Sequence, residues 1–232
     1  MSIDYQPVAI AIDGPAASGK TTVGRLLAEK LHYLFLDTGS MYRAATLAML
    51  KHNVDVDDEA AVVQLTRAMD MTIKPVDAAH DDGRSYTVLL GSEDVTWELY
   101  TPQVEAHVSQ VSTYPEVRAE LVRRQREIGH EGNVVMVGRD IGTVVLPEAA
   151  LKLYISASAE ERARRRWKER QERGSRESYE MILADVVRRD TIDSSREHAP
   201  LRAARDAIII DTTGRSIDDI LAEIMEYVTL QP

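Results

Sequence analysis

The stretch that most constrains the fold lies near the start of the chain, Val8-Ala-Ile-Ala-Ile-Asp-Gly14-Pro15-Ala16-Ala17-Ser18-Gly19-Lys20-Thr21-Thr22. Residues 8–12 are apolar without alternation, as a strand buried on both faces of a parallel sheet requires. Residues 14–21 then spell G-x-x-x-x-G-K-S/T in full, and Val23, Leu26, Leu27 and Leu31 follow at helical spacing. Strand, glycine loop and helix in that order form the context in which this motif cradles phosphate. The glycines let backbone N–H groups turn inward, and the helix N-terminus adds its positive dipole. Lys20 is placed to reach the β- and γ-phosphates, and the Thr21 hydroxyl to ligate Mg2+. Residues 14–22 are therefore expected to bind a nucleotide.

Composition narrows the classes. A chain of 232 residues is long enough for one α/β domain with insertions. It has no cysteine, which excludes a disulfide framework and thiolate chemistry. No apolar run reaches the length of a membrane span, and the N-terminus is unlike a signal peptide, so a soluble, cytoplasmic protein is expected. The formal net charge of −10 argues against nucleic acid as the main partner. The arginines nevertheless crowd between residues 162 and 205. An enzyme for small anions has that distribution, and so does an unevenly charged surface.

Further along, Tyr33-Leu-Phe-Leu-Asp37 reads as a short buried strand. It runs into Thr38-Gly-Ser-Met-Tyr42-Arg43 and a helix with Ala44, Ala45, Leu47 and Leu50 on its apolar side. Ligands of open α/β sheets bind at the carboxyl ends of strands. Asp37 is thus a candidate near the phosphate loop, with a helix-capping role as the alternative, and Arg43 is a candidate anion contact. Helical spacing then places Val62, Val63, Leu65 and Met69 inward. Met71-Thr-Ile-Lys-Pro-Val76 and Ser85-Tyr-Thr-Val-Leu-Leu90 are strand-like around the turn signal Asp81-Asp82-Gly83, with a third piece over 93–97. This small antiparallel sheet, within about 62–100, interrupts the βαβ series. Helices are expected over 102–112 and from Pro115 to Gly129 and Gly132, the latter with Val117, Leu121 and Val122 inward. Residues 134–137, 151–155 and 207–210 are the remaining core strands, the first closing in Gly138-Arg139-Asp140. A terminal helix buries Ile217, Ile220, Leu221 and Ile224. The fold class is α/β, a P-loop, three-layer core with a mostly parallel five-stranded sheet.

Between the last two strands lies Ala159-Glu-Glu-Arg162-Ala-Arg164-Arg165-Arg166-Trp-Lys168-Glu-Arg170, then Arg173-Gly174 and a helix over about 179–189. Arg162, Arg165 and Arg166 share a face at i, i+3 and i+4. Glu160–Arg164 and Glu161–Arg165 are well spaced for the pairs of a solvated helix. A phosphate loop in the same chain favours the other reading, an arginine-rich lid that neutralises a moving phosphoryl group.

The sequence resembles the bacterial-type cytidylate kinases over nearly its whole length. The resemblance rests on residues 14–21, on Asp37-Thr-Gly-Ser-Met-Tyr-Arg43, on Ser109-Gln-Val-Ser-Thr-Tyr-Pro-Glu-Val-Arg118, on Gly138-Arg-Asp-Ile-Gly-Thr-Val-Val145, and on Arg188-Arg-Asp-Thr-Ile-Asp193 with Arg196. It implies transfer of the γ-phosphoryl group of ATP to CMP or dCMP, with Mg2+, by a P-loop core (1–37, 133–157 and 206–232), a CMP-binding region (38–132) carrying the inserted sheet, and a short helical lid with its following helix (158–205). It further implies that Ser109, Arg118 and Asp140 meet the cytosine. By the same resemblance Thr38, Tyr42, Arg43, Arg139, Arg189 and Arg196 would bind CMP, its phosphate or the phosphate in flight, Asp193 would contact the ribose 2′-hydroxyl, and Arg165 and Arg166 would come from the lid. Lys20, Arg139, Arg165, Arg166 and Arg189 are then the catalytic set, and Thr21 and Asp37 the metal side. Thr38 stands where many members have Ser, which keeps the hydroxyl.

The chemistry agrees with these residue types. A carboxylate accepts from the cytosine N4 amine, and arginine donates to N3 or O2. Uracil reverses those edges and would leave a buried carboxylate unpaired. No general base is needed, since the acceptor phosphate oxygen is already ionised at neutral pH. The alternatives are a kinase for UMP or AMP, or a P-loop switch that transfers no phosphate to a small molecule. A monomer with no nucleic-acid or membrane partner is expected.

Overall fold

A computed structural model describes residues 9–76, 80, 82–172, 174–195 and 200–230. Of the positions singled out above, Val8, Asp81, Arg173 and Arg196 lie outside the described residues.

The elements follow the apolar runs. Strands β1 (Ala9–Asp13), β2 (Leu34–Asp37), β6 (Val134–Gly138), β7 (Leu151–Ser156) and β8 (Ile208–Asp211) form a sheet of five in the order β2-β6-β1-β7-β8. The β1–β6, β1–β7 and β7–β8 pairs are parallel, with Asp13 level with Gly138 on one side and Tyr154 on the other. Every residue of β6 is buried, which explains its unbroken Val-Val-Met-Val sequence. β8 reads equally apolar, yet it lies at the end of the sheet and leaves Ile209 64% exposed. The described helices are α1 (Lys20–Leu31), α2 (Gly39–Lys51), α3 (Glu59–Ala68), α4 (Pro102–Val111), α5 (Pro115–Glu131), α6 (Ala159–Glu172), α7 (Tyr179–Ser194) and α8 (Ile217–Leu230). Ile220, Leu221, Ile224 and Val228 form the buried stripe of α8.

Two compact units result, residues 34–131 and residues 1–33 with 132–232. The first contains the small antiparallel sheet β3 (Met71–Lys74), β4 (Thr87–Leu90) and β5 (Glu93–Asp94), in that order. Its third strand is only two residues long: Asp94 Oδ1 takes the Thr96 N–H at 3.0 Å, turning the chain toward a 3₁₀ segment at Glu98–Tyr100. Arg84 anchors this sheet from a side chain 6% exposed, bonding Asp82 at 2.6 Å and Asp94 at 2.5 Å. Asp58 caps α3 by accepting the Ala61 N–H at 3.0 Å.

In the other unit α6 and α7 pack around Ala163, Ile182 and Val186. Ser178 caps α7, whose helix continues to Ser194, five residues beyond the expected end. The extension places Asp193 on the helix rather than in a loop. A π-type turn, Ile141–Val145, follows β6 and has no counterpart among the sequence expectations.

Candidate active site

The phosphate loop is shaped by two glycines. A Cβ on Gly14 would lie 2.0 Å from the Ile155 carbonyl oxygen, so no larger residue fits there. Gly19 adopts φ +93°, a conformation that L side chains rarely reach, immediately before α1. No side chain caps α1 and its first turn carries no acidic residue, which leaves the positive end of the helix for an anion.

The loop's carbonyls have donors from elsewhere in the same unit. Arg139 Nη1 donates to Gly14 O at 2.8 Å, Lys20 Nζ to Pro15 O at 2.9 Å and Arg162 Nη1 to Ala16 O at 3.3 Å. Ser18 O accepts from Thr212 Oγ1 at 2.9 Å and Arg165 Nη1 at 3.3 Å. A trans peptide points its N–H away from its C=O. Drawing these carbonyls toward the surrounding cations therefore turns the following N–H groups the other way.

Each arginine of α6 has its own partners. Arg162, buried at 4% exposure, forks onto Asp190 of α7 at 2.9 and 2.5 Å and donates to Ala157 O at 2.9 Å. Arg165 reaches Thr212 O at 2.7 Å and Glu161 at 2.8 Å. Burial, then the charges of Arg189 and Arg170, pull the Arg166 pKa below its usual value. Positive charge gathered this way suits an anion. Arg189 is held by Asp185 at 3.2 Å, and Arg164 pairs with Glu161 at 2.8 Å.

Arg139, at the end of β6, also meets Asp193 of α7 through Nε at 2.9 Å. Asp140 beside it is 8% exposed and starts the π-type turn, its carbonyl accepting Val144 N–H at 2.8 Å. Asp13 takes two N–H groups of that turn, Ile141 at 2.7 Å and Gly142 at 2.8 Å. Burial pushes its carboxyl up to about 6, the two backbone bonds and Lys20 pulling down and Asp140 pushing further up.

In the unit of residues 34–131, Asp37 accepts the Gly39 N–H at 3.0 Å, and Ser40 Oγ donates to Asp37 O at 2.7 Å. Thr38, buried, opens α2, which carries Tyr42 and Arg43. Arg43 stacks over the Tyr100 ring at 5.1 Å and lies 3.4 Å from Glu105, while Arg118 stacks over Tyr42 at 5.8 Å. Tyr86 and Tyr100 share a hydroxyl contact of 3.1 Å. Burial, with the nearby Asp37 charge, pushes both phenols up. Ser109 lies on the exposed side of α4, its carbonyl accepting from Ser112 Oγ at 2.8 Å.

Sequence reasoning brings in neither Asp13, nor the Arg162–Asp190 fork, nor Thr212, nor Tyr100 as an arginine platform. Only Asp13 carried a signal: it is the single charge at the end of an apolar strand, directly before Gly14.

A phosphate loop joining the central strand of a parallel sheet to an uncapped helix N-terminus defines a P-loop nucleotide-binding α/β protein. The same overall fold occurs in an uncharacterized protein from Eubacterium ventriosum, at TM-score 0.53 and 13% identity over 96% of this chain and 98% of that one. The family is more specific: a family model described as cytidylate kinase matches residues 10–230. A cytidylate kinase of Carboxydothermus hydrogenoformans is 48% identical over 94% of this chain and 96% of its own length. One of Bacillus subtilis is 44% identical over 95% and 96%. The chain belongs to the cytidylate kinase family.

Proposed function

We propose that the chain transfers the γ-phosphoryl group of ATP to CMP or dCMP, giving ADP and CDP or dCDP. The observation that carries this reading is the phosphate loop with Lys20 at its centre, in a chain matched along almost its whole length by cytidylate kinases. The loop N–H groups and Lys20 bind the triphosphate. Arg139, Arg165, Arg166 and Arg189, with Arg196, neutralise charge on the transferring group. Thr38, Tyr42 and Arg43 bind CMP at its phosphate end, and Ser109, Arg118 and Asp140 take the base. Asp193 takes the ribose 2′-hydroxyl in competition with Arg139.

The same reading brings in Mg2+ as the partner of the ATP phosphates. Among the described residues no group of three or more His, Cys, Asp or Glu is arranged to hold a metal. The Thr21 hydroxyl, with Asp37 directly or through water, would supply the protein's few oxygens beside ATP phosphates and water. The ion would neutralise β- and γ-phosphate charge. Among the described residues no helix is long and apolar enough to cross a membrane. We further propose a cytoplasmic location and a monomer, the second checked by light scattering after size exclusion.

The test is a coupled ADP-release assay with ATP against CMP, dCMP, UMP and AMP. CMP and dCMP are expected to turn over best. Preference for UMP or AMP would move the chain to another substrate, and ADP release independent of any acceptor would make it a switch.

A further inference from the structure

We propose that Asp13 is a positioning residue for phosphoryl transfer, its carboxylate clamping the turn that aims Arg139 and Asp140. The inference rests on the reading of those two residues as substrate contacts. Asp13 and Gly14 grip the Arg139-Asp140-Ile141-Gly142 segment at both ends. The Gly14 carbonyl takes Arg139 Nη1 at 2.8 Å, while the Asp13 oxygens take the Ile141 and Gly142 N–H groups at 2.7 and 2.8 Å. The first N–H groups of a helical turn have no partner within the turn. Here the partner comes from a strand nearly 130 residues earlier, from a carboxylate 3% exposed. The fit is close: a Cβ on Gly142 would meet Lys152 carbons at 3.3 Å and Asp13 Oδ2 at 3.4 Å.

Only the ionised carboxylate accepts through both oxygens without restriction. The protonated acid, like asparagine, keeps one acceptor and turns a donor toward an N–H group. The charged groups bearing on this ionisation are Asp140 from the turn and Lys20 from α1, and the Tyr154 phenol of β7 lies within reach of the Asp13 charge. With the carboxyl pushed up to about 6, the clamp is complete at neutral pH and half-released near pH 6. The second proton of a phosphate monoester also leaves near pH ~6, so the acid limb of CMP turnover alone would not identify Asp13. The ratio of wild type to Asp13→Asn cancels the substrate's contribution.

Two measurements decide the matter. Steady-state kinetics from pH 5 to 8 should give a wild-type kcat/KM for CMP about tenfold above Asp13→Asn at pH 7.5, the scale of one lost charge-assisted hydrogen bond. The ratio should fall toward one as pH drops through 6. A ratio independent of pH would overturn the proposal. In the wild-type protein without substrate, the amide resonances of Ile141 and Gly142 should titrate together near pH 6. Amides that stay fixed from pH 5 to 7.5 would overturn it even if the variant failed to fold. A folded wild type inactive on CMP at every pH would instead overturn the kinase reading on which the proposal rests, and the amides would still report on the clamp itself.

Discussion

Replacing Asp13 with Asn should make the folded state less sensitive to alkali between pH 4 and 7. In the native chain burial raises this carboxyl from 3.8 to about 6, against two backbone N–H bonds that alone would lower it. Between those two values the folded protein holds a proton that the unfolded chain has released. Stability therefore falls as pH rises through the window, and the contribution of the protonated form, complete below pH 3.8, is gone above about 6. The gap is worth about 3 kcal/mol at ~1.4 kcal/mol per decade. Asparagine cannot ionise. The difference in unfolding free energy, wild type minus variant, should thus shift by about 2.4 kcal/mol toward the variant between pH 4 and 7, since part of the gap is already lost at pH 4, on top of any constant offset. Urea unfolding followed by circular dichroism at half-unit pH intervals reads it directly. A difference flat with pH would refute the reasoning. One that moved toward wild type as pH rose would mean that the two N–H bonds outweigh burial.

Asp140→Ala should lower kcat/KM for CMP by the equivalent of ~2–4 kcal/mol while its discrimination against UMP shrinks; equal losses on both substrates, in a variant that circular dichroism shows folded, would make it a partner of arginines instead. Asp193→Ala should weaken CMP more than dCMP, and equal weakening would assign the carboxylate to Arg139, 2.9 Å away. Arg162→Ala and Asp190→Ala should each cost about 2–4 kcal/mol in urea unfolding, because each strands a charge in a fork with Arg162 almost wholly buried; the double variant should cost clearly less than the two together, and simple additivity would show no coupling.

The parts legible in the sequence are those set by local constraints. Gly14 had to be glycine because the backbone of β7 passes where a side chain would be, and the motif spacing records that. The unbroken apolar run of β6 announces a strand buried on both faces. Edge position leaves no such mark: Ile209 reads like a core residue and is exposed. Spacing correctly grouped Arg162, Arg165 and Arg166 on one stretch of helix, yet their partners, Asp190, Thr212 and the Arg189 charge, come from other elements and give each a different role. Glu161–Arg165 formed as the i, i+4 rule expects, whereas Arg164 turned to Glu161 at i, i+3. Asp13 was missed for the same reason, since its two N–H partners lie 128 and 129 residues away.

Phosphoryl transfer from one nucleotide to another, with Lys20 at the phosphates, is the activity assigned to this chain. It is tested most directly by incubating the protein with ATP labelled at the γ-phosphate, CMP and Mg2+, and separating the products. Label is expected in CDP, at its terminal phosphate, with less than about a tenth of that rate in folded Lys20→Ala, as loss of a phosphate clamp costs orders of magnitude. Label released as inorganic phosphate with CMP unchanged, or a Lys20→Ala variant that transfers as fast as the wild type, would contradict it.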